Sequence, residues 1–369
     1  MKNRWLRIVC LLLSFAVVFG MTACSAVPQN NEDGSEGKMM WETQKTGTIL
    51  TRPQRNEESV CEVLPDLNFS RGFKVSLFHS NSSGGRLSGV LDHGGDAAEG
   101  GACWQLSQWG CTHDLAGAEF KREESSLLYE DGAKSVCLDV GKTSEITLSI
   151  KGSEEYTRDA DGNIRERTDP TENWPHLLLE QTGVDHNISP DARHLWMTLE
   201  YEIVSCESKV DRSIYPENPS VNAAQFQWFL NLTDSDPQSE SYNERMWFGF
   251  SMFDTRCIGS TPGGMSSYDG GKEDSSGLFI YMFSLESAAQ EKGNLVPLPS
   301  SVIGGGKRTV RVDVLPLLSS ALKAAKKSGA LKGASVEHLT IDSTNIGWEL
   351  PGNYDVSVAI SNLNLYEEK

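Results

Sequence analysis

From about residue 61 onward the chain keeps returning to one pattern, an apolar side chain at every second position. In "GFKVSLF" it is Phe73, Val75 and Leu77, and in "SEITLSI" it is Ile146, Leu148 and Ile150. "LWMTLEYEI" repeats it with Leu195, Met197, Leu199, Tyr201 and Ile203. "AAQFQWFLNL" carries Ala224, Phe226, Trp228, Leu230 and Leu232, and "MWFGFSMF" carries Met246, Phe248, Phe250 and Met252. Successive side chains on a strand point to opposite faces, so period two means strands with one buried face. Gly, Asn, Asp and Pro separate the runs and supply the turns. Many such strands in one chain exclude a helical bundle. They predict an all-β fold, an antiparallel sandwich or jelly roll, over residues 61–369.

Three local departures refine this expectation. "DVLPLLSSALKAAKKSG" predicts one amphipathic helix near the C-terminus, with Asp313 able to cap it, Pro316 in its first turn and Gly329 at its end. Leu315, Leu318, Leu322 and Ala325 would form its apolar stripe. "ESAAQEKG" has the spacing of a second, short helix. In "YDVSVAISNLNLY" the apolar parity flips from Tyr354, Val356, Val358 and Ile360 to Leu363 and Leu365, which predicts a β-bulge at Ser361–Asn362.

The stretch "CWQLSQWGC", Cys103 to Cys111, holds two tryptophans of opposite parity. As a strand it would send Trp104 to one face and Trp109 to the other, so one ring enters the core while the other lies under a loop or meets a ligand. The same segment, if extended, spans too far for its two cysteines to bond each other. Six cysteines (Cys61, Cys103, Cys111, Cys137, Cys206 and Cys257) permit three disulfides or six buried thiols, and no CxxC pair suggests zinc or redox chemistry.

The faces opposite the apolar rows carry unusual chemistry. Gln225, Gln227, Phe229 and Asn231 form one row; Trp247, Gly249, Ser251 and Phe253 another; Trp196, Thr198, Glu200 and Glu202 a third. Amides, carboxylates and flat aromatics suit a polyhydroxylated ligand: aromatic faces cover the C–H patches of a sugar ring, and amides bond its hydroxyls. Gln225, Gln227, Asn231, Trp247 and Trp109 are therefore the candidate ligand-binding residues. Glu200 and Glu202, two apart on one strand face, are candidate catalytic carboxylates, since glycoside hydrolysis runs on a carboxyl pair. Glu180 in "HLLLEQ", Asp254 in "FDTR" and Glu349 in "GWEL" are looser candidates. Burial of both sheet faces under loops is the competing reading.

With this strand pattern, residues 61–369 resemble the concanavalin-like jelly rolls of secreted carbohydrate-active proteins. The resemblance implies a glycan ligand. It does not extend to catalytic motifs: "LEYEIVSCE" lacks the Asp of the laminarinase-type E-x-D-x-(x)-E strand, and the R-x-E-x-R and Q-I-H motifs of alginate-lyase-like members are absent. Three functions remain open: glycan binding, polysaccharide hydrolysis or lysis on the same fold, and protein adhesion. No cofactor is implied. "DADGN" (Asp159 to Asn163) starts like an EF-hand loop but puts Gly162 at the wrong place, and reads better as a tight turn. The acidic loops "TDSDPQSESYN" and "YDGGKED" could ligate Ca2+ through oxygen. "GGGKRT" lacks the spacing of a phosphate loop, and no G-x-S-x-G occurs.

The N-terminus addresses location. "MKNRWLR" is basic, and "IVCLLLSFAVVFG" is an apolar run of 13 residues, too short for a bilayer span. "MTAC" follows, Met21 to Cys24. This order resembles the lipobox of bacterial lipoprotein signal peptides, with Met21 where Leu is usual. It implies cleavage after Ala23 and lipid attachment at Cys24, hence residues 1–23 as signal peptide, 24–60 as a polar tether and 61–369 as the folded domain. Cleavage removes three of 33 basic and none of 51 acidic residues, leaving a net charge of −21. Such a chain disfavours nucleic acid. The expected place is the cell membrane, lipid-anchored, on the extracellular or periplasmic face. Cys24→Ala should release the protein from the detergent phase in phase partitioning, or block its processing; equal partitioning of mutant and wild type would contradict lipid attachment.

Overall fold

The structure is a computed structural model that describes residues 59–77, 87–140, 145–258, 265–268, 278–285, 288 and 302–369. The signal peptide, Cys24, the tether to residue 58, and most of the "ESAAQEKG" and "YDGGKED" segments lie outside the described residues.

Two sheets face each other in a β-sandwich. The first has eight strands: β15 (Arg308–Asp313), β10 (His194–Ser208), β17 (Tyr354–Glu368), β8 (Glu145–Lys151), β7 (Lys134–Asp139), β6 (Ser126–Glu130) and β5 (Glu119–Arg122) in spatial order, with β1 (Val60–Glu62) pairing β17. The second has nine: β13 (Met265–Tyr268), β14 (Phe279–Met282), β12 (Arg245–Asp254), β11 (Gln225–Asp234), β16 (Leu339–Glu349), β9 (His176–Asn187), β4 (Trp104–Ser107), β2 (Phe73–Ser76) and β3 (Leu87–Leu91). Pairing is antiparallel except at β12–β14 and β2–β4, where the sheet runs parallel.

The period-two rows meet between the sheets. Phe226, Trp228, Leu230 and Leu232 of β11, Met246, Phe248 and Phe250 of β12, and Trp348 of β16 are buried; so are Leu195, Met197, Leu199, Tyr201 and Ile203 of β10 on the opposing sheet. The two layers are also tied by polar contact. Tyr201 of the first sheet packs its ring on Phe226 at 5.5 Å and donates its hydroxyl to the Met252 carbonyl of the second at 3.1 Å. Apolar burial of this kind yields ~25 cal/mol per Å2 and is the main driving force for stacking the layers.

The bulge and the long helix also appear. Ser361 pairs Glu200 while Asn364 pairs Thr198, so β17 carries one extra residue there, and Asn362 takes the left-handed conformation at φ 53°. That is the bulge read from the parity flip. The long helix, α2 (Leu315–Ser328), follows α1, a single turn at Gly152–Glu155. It buries Leu318, Ala321, Leu322 and Ala325, and Gly329 at φ 98° closes it by donating to the Ala325 and Lys326 carbonyls. Asp313 lies one residue ahead of the cap position Val314, yet its carboxylate still accepts from the Leu315 amide at 3.2 Å. The six cysteines named above are unpaired thiols. "DADGN" is a turn: Asp159 accepts from the amides of Asp161 and Asn163, and Gly162 sits at φ 84°.

Candidate active-face cleft on the nine-stranded sheet

With the core rows turned inward, the alternate positions of the nine-stranded sheet face out, and strand register arranges them in rows. One row reads Thr182, Ser343, Asn231, Trp247, Ile280, Ser267 across β9, β16, β11, β12, β14 and β13. The next reads Lys74, Gln105, Glu180, Asn345, Phe229, Gly249, Met282, Met265 from β2 to β13. A third reads Ser76, Ser107, Leu178, Gly347, Gln227, Ser251, and a fourth His176, Glu349, Gln225, Asp254. Rows are two residues apart, about 6.8 Å, so four of them cover ~20 Å along the strands.

A cleft of about 320 Å3 opens on this face. Its lining includes Trp109, Trp174, His176, Gln227, Trp247, Asn345 and Glu349. Trp104 is fully buried in the core while Trp109 lines the cleft, as their opposite parity requires. Trp109 is held by the chain around it. Gly110 takes φ 70°, and a Cβ there would lie 2.3 Å from the Trp174 carbonyl oxygen, so only glycine lets the two segments approach. The His176 Nδ1 sits 2.9 Å from both the Trp109 and Trp174 carbonyl oxygens. Both are acceptors, so Nδ1 carries the proton. Nε2 then faces the Glu349 carboxylate at 3.5 Å, and the Trp174 indole N–H donates to the same oxygen at 3.3 Å. The His176 ring stacks on Trp174 at 5.7 Å, and the Arg167 guanidinium covers Trp174 at 4.4 Å. Behind the Trp109 turn, Glu155 accepts from the Thr112 amide and hydroxyl and pairs with the fully buried Lys134 at 2.5 Å.

Glu180 stands beside Asn345 on the same face. Its carboxyl accepts from the Ser107 hydroxyl at 2.5 Å and the Gln105 amide at 3.1 Å. Burial pushes its pKa above the ordinary carboxylate range, against the opposing pull of those two donors.

Of the residues singled out from sequence, the structure brings Trp109, Gln227, Trp247 and the looser candidate Glu349 to one cleft. Gln225 and Asn231 share the face in neighbouring rows outside the cleft lining; Gln225 donates to Asp254 at 3.0 Å. Asp254 is held by Arg256 at 2.6 Å. Glu200 and Glu202 do not join them. Their strand, β10, pairs β15 and β17 in the eight-stranded sheet, so they and Trp196 belong to the opposite layer. Glu200 accepts there from Ser361 and Glu202 from the Gly306 amide. Period two cannot distinguish the sheets, because it fixes a face and not a neighbour. Sequence reasoning missed His176, Trp174 and Asn345. His176 shares its parity with Glu180, which was a usable signal; Trp174 sits in a loop with none. Among the described residues no cluster of three His, Cys, Asp or Glu side chains could hold a metal ion. The loop after β11 satisfies its own acids: Asp234 accepts from Ser241 at 2.8 Å and Asp236 from Gln238 at 2.8 Å.

No protein-family model matches the sequence, and no curated protein matches it. Solved structures similar to it include a family 12 xyloglucanase from Bacillus licheniformis, at 7% identity and TM-score 0.34, covering 70% of this chain and 99% of that one. The Trichoderma harzianum endoglucanase 3 from family GH12 shows 10% identity, TM-score 0.31 and coverage of 73% and 99%. The family 11 xylanase from Neocallimastix patriciarum shows 6% identity, TM-score 0.28 and coverage of 68% and 94%. At scores this low the likeness extends no further than layered strands.

The Glu180 environment makes a pH prediction. A carboxyl whose folded pKa is raised stabilises the fold fully below its unfolded pKa, about 4.3, and loses that contribution as pH rises through the folded value. Glu180→Gln removes the titration. Its melting temperature relative to wild type should therefore climb between pH 4 and pH 7; a difference that stays flat over this range would contradict the burial assigned to Glu180.

Proposed function

We propose that this protein binds extracellular glycan in the cleft on the nine-stranded sheet, and that Cys24 anchors it by lipid to the outer or periplasmic face of a bacterial membrane. One observation carries the glycan reading: three indoles, Trp109, Trp174 and Trp247, line the same cleft as Gln227, Asn345, His176 and Glu349. Aromatic surface for ring C–H groups, interleaved with amide and carboxylate partners for hydroxyls, is what a sugar requires. A protein-adhesion surface would instead present a broad apolar patch. The lipid anchor rests on the order of basic start, apolar run and "MTAC" in the sequence.

Hydrolysis is the second reading, and Glu180 favours it. A carboxyl with a raised pKa on a ligand face is suited to act as a general acid. Glu180 stands on the same face outside the cleft lining, and the carboxylate that lines the cleft is Glu349. It pairs His176, four residues along β9 from Glu180, so the backbones of the two glutamates are offset by about 13 Å along the strand. Working pairs hold their carboxyls at ~5–9.5 Å. Among the described residues Glu349 is the one carboxylate in the cleft lining, and binding needs no pair.

A glycan array on residues 59–369 should give hits, and product analysis on each hit separates binding from cleavage. Trp247→Ala should weaken binding of a hit by about 1 kcal/mol or more while leaving stability nearly unchanged. Core Trp228→Ala should destabilise by roughly 3–5 kcal/mol. If the Trp247 variant unfolds as readily as the Trp228 variant, the outward face is core and the cleft is no binding site.

A further inference from the structure

We propose that this protein cross-links itself: the Lys134 amine condenses with the Glu155 carboxyl to an isopeptide bond, Asp131 carries a proton, and one water is released. The inference does not depend on the glycan reading.

The three residues come from two hairpin ends. Asp131 and Lys134 close the β6–β7 hairpin, where the Asp131 amide donates to the Lys134 carbonyl at 3.1 Å. Glu155 ends α1, the single turn that follows β8. The Lys134 and Glu155 side chains are fully shut off from solvent, and that of Asp131 is 5% exposed. Lysine and glutamate are almost never buried so deeply unless paired, and pairing alone does not repay their desolvation. Here the arrangement goes beyond pairing. Lys134 Nζ meets Glu155 Oε1 at 2.5 Å, Asp131 Oδ2 at 2.9 Å and the His113 carbonyl oxygen at 2.9 Å. Among the described residues no other donor bonds Asp131 Oδ2, which leaves it open to take a proton. The far oxygen of Glu155, Oε2, accepts from the Thr112 amide at 2.5 Å, the Thr112 hydroxyl at 2.9 Å and the His113 amide at 3.3 Å. A nucleophile thus stands against one side of a carboxyl group, and three donors hold the oxygen that gains charge when its carbon is attacked. Acyl transfer asks for this layout.

Burial pulls the Lys134 pKa down, the acidic groups beside it more than offset this, and the amine is charged at rest. Proton transfer therefore comes first. One proton passes from Nζ to Glu155 Oε1, which turns the ion pair into an amine and a carboxylic acid. The amine lone pair then forms the C–N bond to Glu155 Cδ, and the C=O electron pair moves onto Oε2 between its three donors. Asp131 Oδ2 takes the second proton from Nζ and delivers it to Oε1. The C–Oε1 bond breaks, its electron pair leaves with water, and Oε2 becomes the amide carbonyl. Asp131 ends as it began, and the His113 carbonyl accepts from the one N–H that remains. Reactants held in contact carry the advantage of an intramolecular reaction, and a site closed to solvent lets water leave without refilling. A neutral amide is also easier to bury than two charges. The bond would join the β6–β7 hairpin to α1, with Oε2 still bonded to Thr112, and so brace the turn that carries Trp109.

The test is a peptide map of the full-length protein, denatured before digestion with trypsin so that burial protects nothing. A linked Lys134 resists cleavage. Residues 123–142 should therefore appear joined to residues 152–158, lighter than the two peptides together by one water, with fragmentation placing the link between Lys134 and Glu155. Lys134→Arg, which keeps the charge but offers no amine, should yield no joined peptide. Asp131→Asn, of equal size, should lower the linked fraction by about tenfold or more, as loss of a proton carrier does. The wild-type digest decides whether the bond exists even where a variant fails to fold. Separate peptides 123–134 and 152–158 in full yield from the wild type would overturn the inference. So would a water lost within 123–142 alone, which would put the link on Asp131. A linked fraction unchanged in Asp131→Asn would overturn the role given to Asp131.

Discussion

Everything on the outward face follows from how the inward face is filled. Trp104, Phe226, Trp228, Phe248, Phe250 and Trp348 occupy the space between the sheets. Because side chains alternate, each of these commits its neighbours to the other side. Trp228 inside puts Gln227 and Phe229 outside; Phe248 inside puts Trp247 and Gly249 outside; Trp348 inside puts Gly347 and Glu349 outside. A one-residue slip of β11 or β12 would bury amides and expose indoles, a cost far above the few kcal/mol by which a domain is stable. The core therefore fixes which side chains line the cleft.

Hydrogen bonds do the finer placing. The fold brings Trp109 and Trp174, on different segments, together through one imidazole, since His176 Nδ1 serves both carbonyls. Trp174 in turn donates its indole N–H to Glu349, so the orientation of a cleft carboxylate depends on the segment that holds the tryptophans. Glu155 and Lys134 form a buried pair beneath this turn, with Thr112 and His113 amides donating to Glu155. A buried pair that has all its partners is tolerated; removing one partner leaves an uncompensated charge. The pair is thus part of what keeps Trp109 at the cleft.

The sequence made legible those features that depend on neighbours along the chain. Period two exposed the strands, the parity flip exposed the bulge at Asn362, and Gly329 marked the end of the long helix. It also separated Trp104 from Trp109 and placed Gln227 and Trp247 on outward faces. What it did not reveal depends on which strands lie side by side. Glu200 and Glu202 have the same alternation as the cleft residues, yet register places them in the other sheet, against β15 and β17. The apolar run Leu177 to Leu179 hides the parity of His176 and Glu180, because β9 is buried on both faces there. Met265, Ile280 and Met282 gather only through the pairing of β12 with β14 and of β14 with β13.

The central claim is that ligand sits on the outward face of the nine-stranded sheet. Hydrogen–deuterium exchange on residues 59–369, with and without an oligosaccharide identified by array, tests it directly. Protection should concentrate in 104–111, 174–182, 225–231, 245–249 and 343–349, the strands and turn that surround the cleft. Protection centred on 194–208 and 308–313 instead would place the ligand on the opposite layer and contradict the account.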